Sequence, residues 1–314
     1  MIHIRTIKRF YSGLTRVLSS WGKTGYLVGI MLLSVQFLIG AGSTGSVTLS
    51  GIAEVGQTLS ASNNISDPDG MGSVSYQWYR NGIPMNGFIE EGLGGLDGLD
   101  GASNLTISSN GNHVYVISSE DDSVSWYSRK ESNGALTYGG FLKDGVNGVD
   151  GLDYPCEVSI SPDGKHVYVI AANDNAISWF TRNSVSGELT YGGYLEDGFN
   201  IADSLEGASS ITFSANGEYA YATATNNMEW SSGKHSISWY ARNTSTGALA
   251  FEGILKDGEN GVDGLGGAVK AFMSPDGSHL YVAAWLDNSV SWFSVNPSNG
   301  SLSYGGVYNH QSPN

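Results

Sequence analysis

The feature that most constrains this 314-residue chain is a tryptophan motif that returns four times, as SVSWY, AISWF, SISWY and SVSWF. Its tryptophans are Trp126, Trp179, Trp239 and Trp292. A tyrosine precedes each copy, at Tyr115, Tyr168, Tyr221 and Tyr281. The repeat is 53 residues long, with one unit lengthened to 60, a period typical of propeller blades and related repeat folds.

Each unit contains four short runs of β-branched and aromatic residues. In the second unit these runs are CEVSIS, HVYVIA, AISWFTR and LTYGGYL, and turn-forming residues separate them. Such runs predict antiparallel strands joined by tight turns. Four-stranded units stacked face to face predict an all-β fold, a β-propeller of four four-stranded blades. The blades are expected at about 101–142, 154–195, 207–255 and 267–308.

The repeat SPDGKHVYVIAANDNAISWFTRNSVSGELTYGG and its partners resemble the YVTN-type repeat of lactonase-like β-propellers. That group includes bacterial 6-phosphogluconolactonase-like proteins, and the resemblance extends over residues 88 to about 309 of the predicted propeller, 88–314. It implies a propeller fold, although the same repeat also serves non-enzymatic surface proteins. The family has seven blades and this sequence has four units. We therefore expect either a closed small ring or an open arc, and a homodimer is compatible with the arc.

The N-terminal part of the chain suggests export. Residues 1–43 combine basic residues, the apolar run YLVGIMLLSVQFLIGAG and small residues, which predicts a hydrophobic helix serving as a cleaved signal peptide or a membrane anchor. Either role places the body in the periplasm, on the cell surface or outside the cell. Residues 44–87, with Trp78 in YQWYRNG, resemble the first half of a bacterial immunoglobulin-like repeat.

The charge distribution excludes one class of partner. Five of the fifteen basic residues precede the first acidic residue, Glu54, so the rest of the chain carries ten basic and thirty acidic residues, a net charge of −20. Such a surface repels phosphates, which excludes nucleic acid and limits membrane contact to the N-terminal segment. A protein or carbohydrate partner at the cell surface fits better. The single cysteine, Cys156, excludes an internal disulfide.

The connectors between units are acidic and glycine-rich: DGVNGVDGL at Asp144 returns as DGENGVDGL at Asp257. Their oxygen-bearing positions are Asp144, Asn147, Asp150, Asp197, Asn200, Asp203, Asp257, Asn260 and Asp263. We expect these loops to form a ring on one face. They either bind Ca²⁺, which takes six to eight oxygen ligands, or serve only as turns.

A second candidate site comes from the first strand of each unit, which lines a propeller channel. The aligned residues there differ between units: Asn104, Glu157, Ser210 and Lys270. Glu157 and Lys270 are two units apart and could form a structural ion pair across the axis. Alternatively, they could activate water and polarise a lactone carbonyl.

Histidine and tryptophan supply the remaining candidates. His113, His166 and His279 occupy one repeated position beside a turn, which does not indicate a metal cluster. Trp230 and Trp285 are not repeated and are candidates for ligand contact.

Our first interpretation is an exported or surface-anchored binding or scaffold module with an acidic loop face that binds Ca²⁺. The alternative is a lactonase-like hydrolase acting on a sugar lactone in the channel.

Overall fold

The computed structural model describes residues 97–198, 204–225 and 235–309, with residues 14–16, 31–36, 47–50, 60–64, 75–80 and 83–84 before them. The chain divides into two compact units, Met1–Phe88 and Ile89–Asn314. None of the described segments forms a helix with the length and apolarity that crossing a bilayer requires.

The described part of the first unit is made of strands. A four-stranded sheet has the order β1 (Leu14–Arg16), β2 (Met31–Gln36), β5 (Ser75–Arg80) and β6 (Ile83–Pro84), and β3 (Val47–Ser50) pairs with β4 (Ser60–Asn63). The prediction of a helix is wrong for Met31–Gln36, which pairs antiparallel with β1 and β5. A short apolar run suits either structure, and pairing with β5 decides between them here. The immunoglobulin-like assignment of residues 44–87 stays a prediction.

The second unit contains four antiparallel sheets, each with its four strands in sequence order. Blade 1 comprises β7 (Ala102–Ile107), β8 (His113–Ser118), β9 (Ser123–Arg129) and β10 (Leu136–Lys143). Blade 2 comprises β11 (Pro155–Ile160), β12 (His166–Ala171), β13 (Ala176–Arg182) and β14 (Leu189–Glu196). Blade 3 comprises β15 (Ala208–Phe213), β16 (Tyr219–Ala224), β17 (Ser236–Arg242) and β18 (Leu249–Lys256). Blade 4 comprises β19 (Ala268–Met273), β20 (His279–Ala284), β21 (Ser289–Val295) and β22 (Leu302–Asn309). The predicted all-β fold with four four-stranded blades is confirmed.

Successive blades pack face to face through apolar cores. Every residue of β12 is buried, because one face of this strand packs on blade 1 and the other on blade 3. Tyr168 of β12 contacts Phe213 of blade 3 with ring centroids 5.0 Å apart. Strands covered on both faces are apolar at successive positions, which explains why HVYVIA lacks polar alternation.

The repeated tryptophans pack inside their own blades against glycines of the fourth strand. The Trp179 ring covers Gly192 and Gly193 of β14, and a Cβ atom at Gly192 would lie 2.6 Å from that ring. Gly193 also has a φ of 135°, beside a shift in the register between β13 and β14. A larger residue at Gly192 or Gly193 would therefore displace the Trp179 indole, which accounts for Gly-Gly in the fourth strands of blades 1, 2 and 4. Blade 3 has Glu252 at the first of these positions and keeps only the second glycine, Gly253.

The first and last blades each leave one face exposed. Leu105 of β7 is 56% exposed, whereas Val158, at the same position in blade 2, is buried. At the other end Tyr281 is 44% exposed, whereas Tyr168, at the same position in blade 2, is fully buried. Of the two expected arrangements, the four blades thus form an open arc.

Candidate functional site

The first strands of the blades lie on the inner side of the arc. β7, β11, β15 and β19 contact one another in succession, whereas the fourth strands scarcely meet. Each of these inner strands has a register irregularity next to the candidate channel residue: Asn104, Glu157, Ser210 or Lys270. A β-bulge changes the direction of the side chain beside it and is frequent next to active sites.

The structure brings Glu157 and Lys270 into direct contact. Lys270 Nζ donates a hydrogen bond to Glu157 Oε1 over 2.6 Å, which joins blades 2 and 4. Between them Ser210 of blade 3 accepts a hydrogen bond from the backbone N–H of Ala271. The Glu157 side chain is 7% exposed and the Lys270 side chain 38%. A buried carboxylate is thus neutralised by an ammonium group that solvent still reaches.

This pair retains unused hydrogen-bonding capacity. In the described part of the chain Glu157 Oε2 has no hydrogen-bond partner, and Lys270 has two further N–H donors. The ammonium also lies 5.5 Å from the centroid of the Phe272 ring, a cation–π distance. The arrangement can present a carboxylate acceptor and an ammonium donor to one small polar ligand. The catalytic role of Glu157 and Lys270 stays a prediction.

The acidic connectors are built first as turns. Asp144 Oδ1 accepts the backbone N–H of Leu152 over 2.9 Å, and Asp257 Oδ1 does the same for Leu265. Asn147 has a left-handed φ of 55°, which asparagine tolerates better than most residues. Asn260 repeats this with a φ of 51°, and Asp197 Oδ1 accepts the N–H groups of Ser204 and Leu205. Asn200 and Asp203 lie outside the described residues.

Two of these connectors also gather carboxylates. Asp144 and Asp150 converge with Asp174, and Asp257 and Asp263 converge with Asp287, each set holding its oxygens within 4.8 Å. Burial, followed by repulsion from the neighbouring carboxylates, raises the pKa of Asp144, Asp174 and Asp257. Each cluster combines a connector with the loop after the second strand of the following blade. Whether these oxygens bind Ca²⁺ stays a prediction.

Comparison with known proteins agrees with the repeat pattern. Residues 88–194, which span blades 1 and 2, match the family model "Lactonase, 7-bladed beta-propeller". Blades 1 and 2 are thus similar to the blades of lactonase-like propellers. No curated protein matches the chain. The resemblance inferred from the YVTN-type repeat is confirmed.

Solved structures match the chain over most of its length at low identity. A putative 6-phosphogluconolactonase from Bacteroides uniformis is 16% identical with a TM-score of 0.53, over 87% of this chain and 80% of the other. A putative 6-phosphogluconolactonase from Bacteroides fragilis is 15% identical with a TM-score of 0.53, over 87% and 79%. The periplasmic gluconolactonase PpgL from Pseudomonas aeruginosa is 15% identical with a TM-score of 0.53, over 88% and 82%. At these identities the matches support the fold alone.

A contact that sequence reasoning missed joins neighbouring blades. Arg182 of blade 2 donates from Nε to Tyr115 Oη of blade 1 over 2.7 Å, and its Nη2 lies 2.9 Å from His113 Nδ1. Arg242 of blade 3 repeats both contacts with Tyr168 and His166 of blade 2. We call this Arg–Tyr–His contact the latch. The sequence contained a signal for the latch. Arg182 and Arg242 end the third strands of units 2 and 3, and the unit before each of them has a histidine and a tyrosine at the start of its second strand.

Cys156 does not add a nucleophile to the site. Burial raises the pKa of the Cys156 thiol to about 12, with Glu157 contributing, so the thiol stays protonated and is a poor nucleophile. Its Sγ donates to the carbonyl oxygen of Ala208 over 3.5 Å. Trp285 follows β20 and is 54% exposed, and Trp230 lies outside the described residues.

Proposed function

We propose that this lactonase-like propeller hydrolyses a sugar lactone at the Glu157–Lys270 pair. The observation that carries the proposal is the 2.6 Å contact between two charged groups on bulged inner strands, where the other two blades have Asn104 and Ser210. The arginines and histidines of the latches recur at equivalent positions of the repeat, whereas Glu157 and Lys270 each occur in one unit only. The resemblance to lactonase-like propellers supplies the reaction class.

The Glu157–Lys270 pair has the two groups that hydrolysis of a cyclic ester requires, a base and a hydrogen-bond donor. Glu157 Oε2 would take a proton from a water molecule as that water attacks the lactone carbonyl carbon. Lys270 would donate a hydrogen bond to the oxyanion that develops on the carbonyl oxygen. The ring C–O bond then breaks, and the departing alkoxide receives the proton, which yields an open-chain hydroxy acid.

The charge of the body narrows the substrate class. A net charge of −20 beyond the first acidic residue repels phosphorylated ligands, so a neutral aldonolactone is favoured. Export would also separate the protein from phosphorylated cytoplasmic sugars. We propose a periplasmic or otherwise exported location, which the basic and apolar N-terminal sequence supports, as does the description of one structural relative as a periplasmic gluconolactonase.

The test is hydrolysis of a panel of neutral aldonolactones, followed by proton release at constant pH and corrected for spontaneous opening. Glu157→Gln should lower kcat by about 10²- to 10⁴-fold, because it removes the base while keeping the shape. Lys270→Met should lower kcat by about 10²- to 10³-fold through loss of the oxyanion donor. Asn104→Ala, at the equivalent position of blade 1, is the matched control and should retain activity. Absence of hydrolysis in the wild-type protein, or full activity of Glu157→Gln, would refute the proposal.

The second candidate is an exported binding or scaffold module whose acidic loops hold a cation. The observation in its favour is the pair of three-carboxylate clusters around Asp144 and Asp257. Millimolar Ca²⁺ should then raise the melting temperature relative to EDTA, and Asp150→Asn together with Asp263→Asn should abolish that rise. Identical melting curves with Ca²⁺ and EDTA would eliminate the cation. A scaffold that is not an enzyme would tolerate Glu157→Gln in every binding assay.

A further inference from the structure

The latch is present at two of the three blade junctions and is missing from the third. Between blades 3 and 4 the histidine position is Tyr219 and the arginine position is Val295, so no guanidinium reaches across. The buried hydroxyl of Tyr221 consequently has no hydrogen-bond partner in the described residues. That junction relies on its apolar core, in which Leu280 and Phe293 are fully buried.

The missing latch contrasts with two half-latches at the ends of the arc. Blade 4 carries His279 and Tyr281 on its exposed face, without an arginine opposite them. Blade 1 carries Arg129, whose Nη1 donates to the carbonyl oxygen of Gly111 over 3.1 Å, the only hydrogen bond that its guanidinium makes among the described residues. Arg182 makes the corresponding bond to Gly164 within a complete latch. Arg129 is therefore already held as in a latch, with Nε and Nη2 unused.

We propose that a second copy of this chain docks on the exposed face of blade 4 through its own blade 1. In this arrangement Arg129 of one copy donates to Tyr281 and His279 of the other, which completes the latch between chains. The same contact forms a second time, so that two copies close a ring of eight blades. This interaction is independent of any hydrolytic activity.

The apolar residues on the exposed faces of blades 1 and 4 are complementary, as Arg129 of blade 1 is to His279 and Tyr281 of blade 4. At the junction of blades 2 and 3, Ile211 and Phe213 pack against Tyr168 and Ile170 in one buried core. Blade 1 has Leu105 and Ile107 at the first two of these positions, and both are more than half exposed. Blade 4 has Tyr281 and Ala283 at the other two, and both are exposed. Docking would bury these side chains as the internal junctions do.

The face of blade 4 has further features of a docking surface. Phe272 is 64% exposed and Tyr308 is 73% exposed, on the first and last strands of the blade. A shallow groove of about 360 Å³ with an almost wholly apolar lining includes Val269, Val290 and Tyr308. Exposed apolar patches with a complementary partner surface indicate protein–protein interfaces. Within one copy both faces remain exposed, so the chain's own blade 1 does not occupy this site.

The blade count fits a closed ring of two copies. A head-to-tail contact gives a closed ring when its rotation divides the circle and an open filament when it does not. Two four-bladed copies make eight blades, which is within the usual range of about four to eight blades for propellers. Both new junctions would then be equivalent to the internal ones.

The oligomeric state of the full chain tests the proposal. Size-exclusion chromatography with light scattering should give a mass twice that of the chain, decreasing to that of one copy on dilution. A single copy at all concentrations, or a continuing series of larger species, would overturn the two-copy ring. Arg129→Glu and Tyr281→Glu should each weaken association by about thirty-fold or more, as at interface hot spots. Lys130→Glu and Val185→Glu, at exposed positions off the proposed interface, are the matched controls and should leave it unchanged.

Mixing the two variants distinguishes head-to-tail docking from any other dimer. Arg129→Glu retains a native blade 4 face, and Tyr281→Glu retains a native blade 1 face, so the mixture contains one intact junction. We expect each variant alone to be a single copy and the mixture of the two to form a heterodimer. The milder changes Arg129→Met and Tyr281→Phe should weaken association less while leaving the tryptophan fluorescence of the folded chain unaltered. Failure of the mixture to associate would refute the assignment of the faces.

Discussion

Glu157 and Lys270 are 113 positions apart in the chain, yet their charged groups are 2.6 Å apart. The contact joins blades 2 and 4 across the inner strand of blade 3. It depends on the register irregularities that precede both residues, since these set the direction of each side chain. The pair therefore connects the arrangement of the blades with the proposed chemistry.

The two partners should contribute unequally to stability. Lys270→Met leaves the buried Glu157 carboxylate without its counter-charge and should lower the free energy of unfolding by about 3 kcal/mol. Glu157→Gln leaves an ammonium group that water already reaches, and should cost only about 1 kcal/mol. Urea denaturation followed by tryptophan fluorescence measures both. Equal losses would mean that Glu157 is better solvated than its burial indicates.

The latch predicts that equivalent arginines differ in importance. Arg242→Met removes donors to Tyr168, His166 and Asp163, and should destabilise the fold by about 3 kcal/mol. Arg129→Met, at the same repeat position in blade 1, should cost at most about 0.5 kcal/mol in a single copy. Urea denaturation at protein concentrations where one copy is present provides the comparison. Similar losses for both variants would contradict the assignment of the latch as an interblade bond.

The same latch predicts acid sensitivity. Burial, followed by the adjacent arginine, lowers the pKa of His113 and His166 below 6.5. A guanidinium can only donate hydrogen bonds, so the Nδ1 atom of each histidine ring must accept one. Protonating that Nδ1 would remove the hydrogen bond and place a positive imidazolium against the positive guanidinium. The unfolded chain binds these protons more readily, so the two rings should lower stability as the pH falls below about 6.5.

Unfolding at several pH values between 7 and 5 measures this effect. Replacing both rings, as His113→Asn with His166→Asn, should flatten the dependence, because asparagine can still accept from the arginine without titrating. His279→Asn, the same change at the incomplete latch of blade 4, serves as the control and should preserve the slope of the wild-type protein. An unchanged slope in the double variant would assign the acid sensitivity to other groups.

The acidic clusters should behave in the opposite sense. Burial and the carboxylates of Asp287 and Asp263 raise the pKa of Asp257. The ionised form of Asp257 therefore lowers the stability of the folded state at neutral pH, and protonation at lower pH removes this loss. Asp257→Asn should therefore stabilise the metal-free protein, by at most about 0.5 kcal/mol because the loop is partly exposed and screened. The retained amide oxygen still accepts the N–H of Leu265. Thermal melts in EDTA at pH 7 test this, and a clear loss of stability would mean that the charge itself is needed.

The sequence by itself determined the local structure. The repeated tryptophans and tyrosines gave the unit length, the β-branched runs gave four strands in each blade, and Asp-Gly and Asn-Gly marked the connectors, because these features act between near neighbours in the chain. The helix predicted in the N-terminal apolar run was wrong at Met31–Gln36, since a short apolar run does not reveal whether a sheet lies beside it.

The tertiary structure decided which distant residues meet. The alignment suggested that Glu157 and Lys270 face each other, but only the bulges and the packing of three blades place them in contact. The tertiary structure also showed that His113 and His166 form latches with Arg182 and Arg242. The corresponding halves of a latch remain unjoined at Arg129 and Tyr281. Pattern within a repeat reports the fold of one blade. Contacts between blades depend on their relative rotation, which arises from the packing of whole faces.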